Sequence, residues 1–309
     1  RRVRTPSAAR GRGGQGQGSR RGSVAGCVAP ADYHGVMGKR TKRGTCAVCG
    51  EYGDLSFEHV PPRSCYNDRA VEVLRGERVL DLAPGETRRG QIQQRGAGSF
   101  YSCTTCNSLS GRLYVPETRG CVERGADLLR RIGDRDGQDT ASFFRFVDVE
   151  FLGVTPLLFL KQVAFMFLCV NGPGFARAHP DLVRFVLNRD SQDLSEVCRF
   201  HLGLTWGPHA RSVGGSAVAS LSTGGATYLS DISFAPFSYT MRIGEPYALL
   251  SPCEITGFKS CGPNEQRDVS MRLQVGFTHL AFPGDSRSSA AIEAQRAANM
   301  QDAERHGAT

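Results

Sequence analysis

The 309-residue sequence has no uninterrupted apolar run long enough to span a bilayer. Its most apolar stretch, LLFLKQVAFMFLCV at 157–170, is fourteen residues long and is broken by Lys161-Gln162, so it reads as a buried helix. No amino-terminal stretch carries the apolar core of a secretory leader. Eleven cysteines are an odd number, in a chain too long for a small disulfide scaffold. Together these absences predict a reducing, cytoplasmic setting. Internal repeats are also missing. Lysine is scarce, four against 34 arginines, and with the Gly and Ala content this fits a GC-rich bacterial genome. The single tryptophan, Trp206, reads as core rather than as a base-stacking platform.

The formal net charge is +8, but its location matters more than its sum. Residues 1–43 hold eleven of the 38 Lys and Arg and one of the 30 acids, Asp32, which leaves 27 basic and 29 acidic residues in 44–309. Basicity therefore describes the first segment and does not by itself argue for nucleic acid. That segment, RRVRTPSAARGRGGQGQGSRRGSVAG, is rich in Arg, Gly and Ser and lacks apolar periodicity, so it is expected to be disordered. Residues 1–36 are expected to be an extension upstream of a start at Met37.

Four segments follow from composition and punctuation: a disordered basic tail at 1–43, a small metal-organised unit at 44–135, an α+β unit at 140–283 and a flexible tail at 284–309. In the second segment DLSFEHV is expected as a strand running into Pro61-Pro62, and CTTCNSLSGRL as the opening of a helix. The next helix has Pro116 in its first turn and Gly133 as its stop. In the third segment Pro156 and Pro180 mark helix starts and Asn171-Gly172 a stop. From about 198 onward, alternating runs such as CRFHLGLTW and ATYLSDISF predict an antiparallel sheet on which the helices pack.

Cys46 and Cys49 form a CxxC pair, and Cys103 and Cys106 form another, with 53 residues between the pairs. A two-residue gap lets both thiolates of a pair reach one ion, and two such pairs close a tetrahedral zinc shell. Four protein ligands leave no open position, so the expected zinc is structural. The competing reading is reduced cysteines paired by chance, or a redox CxxC. Cys27, Cys65, Cys121, Cys169, Cys198, Cys253 and Cys261 offer no second quartet, and Cys169 reads as core.

Between the pairs stands Glu58-His59 followed by Val60-Pro61-Pro62, and directly after the last cysteine stands Asn107. Strand neighbours point to opposite faces, so Glu58 and His59 address one site only where the backbone bends. Phosphodiester hydrolysis wants such a pair. A neutral His takes the proton from water, while a hard divalent cation held by carboxylate and amide oxygens stabilises the leaving oxygen. A shared zinc would bring Glu58 and Asn107 together. Taken singly, each has a plainer reading: a surface or core histidine, and an asparagine capping a helix.

In this order, CxxC, Glu-His-x-Pro-Pro and CxxC-Asn, the chain resembles the HNH nucleases, the His-Me finger or ββα-metal superfamily in its zinc-knuckle form, over residues 44–115. The resemblance implies His59 as general base, Glu58 and Asn107 as ligands of a catalytic Mg²⁺ or Mn²⁺, and Cys46, Cys49, Cys103 and Cys106 as ligands of structural Zn²⁺. Gly111 takes the closing position of the CN-x-x-x-G ending. The family's central Asn or His, which orients the loop holding the base, has no placed counterpart; Gln94 and Ser99 are the candidates in QIQQRGAGSFYS. The expected architecture is therefore α+β: a small zinc-stabilised ββα-metal (HNH) module, then a helical and antiparallel β-rich domain.

The expected activity is divalent-metal-dependent hydrolysis of DNA, with RNA left open and a homodimer left open. Arg63 and Arg112 are the expected phosphate contacts, with Arg88, Arg89 and Arg95 nearby. The alternative is a non-catalytic zinc-ribbon module binding nucleic acid or protein. His201, His209 and His279 are too scattered to propose a metal.

Overall fold

The structure, a computed structural model, describes residues 42–73, 90–135, 145–206, 210–219, 226–244 and 253–277. The basic tail up to residue 41, Met37, Arg88, Arg89, His209, His279 and the segment 284–309 lie outside the described residues.

The first part opens with strand β1 (Lys42–Thr45) and strand β2 (Tyr52–His59), then a short hairpin of β3 (Val71–Val73) and β4 (Gln91–Gln93). Strand β5 (Gly98–Cys103) runs straight into helix α1 (Thr104–Leu113), and α2 (Val115–Arg135) follows. Strands β1, β2 and β5 form one antiparallel sheet in that order. Pro116 sits in the first turn of α2 as expected, but the helix runs two residues beyond Gly133. A single glycine weakens a helix interior by about 1 kcal/mol, which does not suffice to end one.

The second part contains β6 (Arg145–Val154), α3 (Pro156–Ala178), α4 (Pro180–Leu187), β7 (Cys198–Trp206), β8 (Arg211–Ala219), β9 (Ala226–Phe234), β10 (Phe237–Gly244), β11 (Cys253–Glu254), a 3-10 turn at Thr256–Ser260, and β12 (Arg267–Phe277). These strands form a seven-stranded sheet in the order β6-β12-β7-β10-β9-β8, with β11 also on β7. The sheet is mixed rather than antiparallel throughout, because Val275–Phe277 of β12 pair in parallel with Leu204–Trp206. Strand β6 alternates buried Val149 and Phe151 with exposed Asp148 and Glu150, and it was not among the expected strands.

Helix α3 is the centre of the core. By length and composition its 23 residues suffice to cross a membrane, yet most of them are buried within the protein. Of its polar residues, Lys161 and Gln162 are buried, and each makes hydrogen bonds. Lys161 Nζ donates to the carbonyls of Asn188 (3.0 Å) and Ser191 (2.7 Å), and also to that of Phe185. Gln162 Oε1 accepts from Ser110 Oγ of α1 at 2.7 Å.

The expected stop at Asn171-Gly172 is a kink. Gly172 takes φ 79°, which would end a helix, but Pro173 is suited to a first turn and restarts it as far as Ala178.

The two parts share one core. Buried Cys46, Cys106 and Tyr114 belong to the same apolar cluster as Phe165, Phe200 and Phe237. Tyr114 Oη donates to the Val186 carbonyl at 2.6 Å. A side chain on Gly125 of α2 would meet the Phe237 ring at 2.7 Å, so glycine permits the close approach of helix to sheet.

Candidate metal centre and cleft

Cys46 and Cys49 lie in the turn after β1, Cys103 ends β5, and Cys106 sits in the first turn of α1. Antiparallel pairing of β2 with β5 folds these distant positions together, with Leu55 opposite Cys103. The four Sγ atoms lie within 4.8 Å of one another, and Cys49 and Cys103 are 3.9 Å apart. Bonds of about 2.3 Å in a tetrahedron put sulfurs about 3.8 Å apart, so the cluster fits a structural zinc.

Cys46 Sγ accepts backbone N–H groups from Val48 (3.4 Å), Cys49 (3.5 Å) and Cys103 (3.3 Å). A hydrogen bond from the Cys106 thiol, with these amides, holds the Cys46 thiol well below its ordinary range and favours the thiolate that a metal requires.

Beside the cluster lies a cleft of about 450 Å³. Glu58, His59 and Asn107 all line it, with Arg63 at its edge and Gly111 one turn beyond Asn107 on α1. Two adjacent strand residues reach one cleft because β2 shifts register between Ser56 and Phe57 and ends at His59, just before Pro61-Pro62. Arg112 is exposed on the last turn of α1 and does not line the cleft.

Glu58 is 5% exposed, and its Oε2 has no hydrogen-bond partner. Burial pushes its carboxyl up to about 8. An orphaned carboxylate oxygen facing a cleft costs free energy unless a proton or a cation satisfies it.

Asn107 spends its Nδ2 on Ser56 Oγ (3.0 Å) and the Phe57 carbonyl (3.3 Å). Oδ1 is the end of the amide left without a partner among the described residues. The helix cap is Cys103 and not Asn107, so the capping reading of Asn107 fails. A carboxylate and an amide oxygen are hard donors, of the type that suits Mg²⁺ or Mn²⁺.

His59 Nε2 lies 2.7 Å from the Arg95 carbonyl. A carbonyl only accepts, so Nε2 carries the proton and Nδ1 keeps its lone pair. Burial, and next the Arg63 charge, lower the His59 pKa despite the Arg95 carbonyl, so the ring is neutral at pH 7. The Phe57 ring packs edge-on against the imidazole, 5.0 Å between centroids.

Neither Gln94 nor Ser99 makes a side-chain hydrogen bond to this loop among the described residues. Asn67 does: its Nδ2 donates to the carbonyls of Pro61 and Ala97, each at 2.7 Å, and its Oδ1 accepts from Ala97 N–H at 2.6 Å. It thereby ties the chain after His59 to the loop whose Arg95 carbonyl holds the imidazole. Gly96 lies inside that loop at φ 94°, and a Cβ there would stand 2.2 Å from the Asn67 carbonyl. Asp68, exposed on the cleft wall, is a second residue that no sequence motif marks. Among the described residues the only His, Cys, Asp or Glu set gathered as tightly as a metal shell is the cysteine quartet.

No family model, no curated protein and no solved structure matches this chain.

Proposed function

We propose that the cleft hydrolyses phosphodiester bonds in nucleic acid, as an HNH-type endonuclease with DNA as its expected substrate. The observation that carries this reading is the meeting of two prepared groups: a buried carboxylate with an unpartnered oxygen, and a neutral imidazole whose Nε2 is tied down. His59 Nδ1 accepts the proton of the attacking water, while the Arg95 carbonyl stabilises the charge that the ring acquires. Glu58 and Asn107 Oδ1 would hold a Mg²⁺ or Mn²⁺, which supplies charge stabilisation for the departing oxygen. Arg63, at the cleft edge, is placed for a phosphate. The zinc is scaffold: it sets where Asn107 stands relative to β2.

Supercoiled plasmid incubated with Mg²⁺ or Mn²⁺ tests the proposal. The wild type is expected to nick it, EDTA to stop the reaction, and His59→Ala to slow it by roughly 10²–10⁴-fold. Metal-dependent nicking retained in the alanine variant would sink the assignment of the base. The rival reading, a non-catalytic zinc-ribbon module, draws support from the near balance of charge in 44–309, since tight phosphate binding recruits several cations. It predicts oligonucleotide or protein binding with no cleavage under any divalent metal.

A further inference from the structure

Tyr66 is the one non-glycine residue among the described residues with a positive φ, 64°. That conformation is costly for a bulky side chain, by about 1–3 kcal/mol. Its neighbours explain the geometry without explaining the residue. Cys65 N–H donates to the Pro62 carbonyl at 2.8 Å and its side chain is buried, while Asn67 is buried in the clamp described above. The backbone between two inward-facing residues must throw the middle side chain outward. Glycine or asparagine would do so at lower cost. The tyrosine ring is instead 50% exposed, with no hydrogen bond or ring stack among the described residues.

Its surroundings are those of the cleft rim. Ser64 and Asp68, two residues to either side, line the cleft, as does Arg63. Arg63 and Arg69 are both exposed, and neither is in an ion pair among the described residues. An exposed aromatic ring flanked, three residues to either side in the chain, by exposed arginines is the chemistry that holds unpaired nucleotides: the ring takes a base face and the cations take phosphates. Duplex DNA offers no base face to such a ring, since its bases are stacked on each other.

We propose that Tyr66 is a stacking platform for an unpaired nucleobase next to the scissile phosphate, so that the preferred substrate presents single-stranded or locally opened nucleic acid at the cleft. This rests on the phosphodiesterase reading above. Asp68 sharpens the selectivity, because its carboxylate on the same wall repels phosphate from any strand not anchored by its base.

The test measures binding of fluorescent DNA and RNA oligonucleotides, single-stranded and duplex of the same sequence, with Ca²⁺ in place of the catalytic metal. Wild type is expected to prefer the single strands of either sugar. Tyr66→Ala should bind them about tenfold more weakly and the duplex unchanged, while Tyr66→Phe retains binding. Tyr66→Gly separates stacking from folding: it relieves the strained φ, so its melting temperature should equal or exceed that of wild type while single-strand binding still falls. An oligonucleotide carrying 2-aminopurine should be quenched by wild type and Tyr66→Phe but not by Tyr66→Ala. If Tyr66→Ala binds single strands as well as wild type, or loses duplex binding equally, the platform is wrong and the nuclease reading stands. If wild type binds no nucleic acid at all, the nuclease reading itself falls.

Discussion

At the scale of single residues, the candidate site depends on groups kept in costly states. The carboxyl of Glu58 is raised from 4.5 to about 8 by burial, so the metal-free native protein holds a proton that the unfolded chain releases. This group's stabilising contribution is therefore full at low pH and is lost as pH rises through the window from 4.5 to about 8, by up to roughly 5 kcal/mol. A cation on the carboxylate reverses the cost. Zinc-loaded protein without other metal should thus lose stability in urea between pH 5 and pH 8, and Mn²⁺ should restore it most at the higher pH. Glu58→Gln, neutral at every pH, should flatten that slope; an unchanged slope would show that another group carries it. Gly96→Ala tests the loop. A Cβ at φ 94°, set 2.2 Å from the Asn67 carbonyl, should cost at least about 2 kcal/mol and lower cleavage by releasing the Arg95 carbonyl from His59. The cysteine quartet was legible in the sequence because CxxC spacing goes with metal ligation, and Glu58, His59 and Asn107, expected at one place, line one cleft. Asn67 was not: an asparagine in PPRSCYND reads as turn chemistry, and only the fold shows that its amide bridges Pro61 to Ala97.

At the scale of elements, the bounds of β7 and β9 match the runs CRFHLGLTW and ATYLSDISF, whereas β6 was not read although it alternates buried and exposed residues. The readings that failed did so where local punctuation met tertiary packing. Gly172 signals a stop, yet Pro173 restarts the helix and Asn171 bridges the kink by donating to Phe167 O (2.8 Å) and accepting Gly215 N–H (2.7 Å). Lys161 breaks the apolar run in the sequence, but in the fold its ammonium caps the carbonyl end of α4. Lys161→Met would take the donor from the buried Phe185 carbonyl and the part-buried Asn188 and Ser191 carbonyls, and we expect a loss of about 2–4 kcal/mol in urea unfolding. A loss under 1 kcal/mol would mean that the carbonyls find water. The parallel pairing of β12 with β7 was not visible in the sequence, since register between strands about 70 residues apart is set by the whole sheet.

At the scale of the molecule, the sequence separates a metal-organised first half from an α+β second half, whereas the structure threads one apolar cluster through both. Helix α3 joins them: its Gln162 holds Ser110 of α1, and its Cys169 is fully buried where the charges of Glu58 and Cys46 both act on it. The burial that tunes Glu58 is thus partly supplied from the second half. Removing zinc should then be felt far from the cysteines, because loosening α1 removes one wall of the same core. Calorimetry of the zinc-loaded chain should show a single transition with calorimetric and van't Hoff enthalpies in agreement. Stripping zinc, or substituting Cys106→Ser, should move that whole transition to lower temperature rather than melt a small first step. Two separable transitions, with the upper one indifferent to zinc, would show that the halves fold independently and that the burial of Glu58 is built within the first alone.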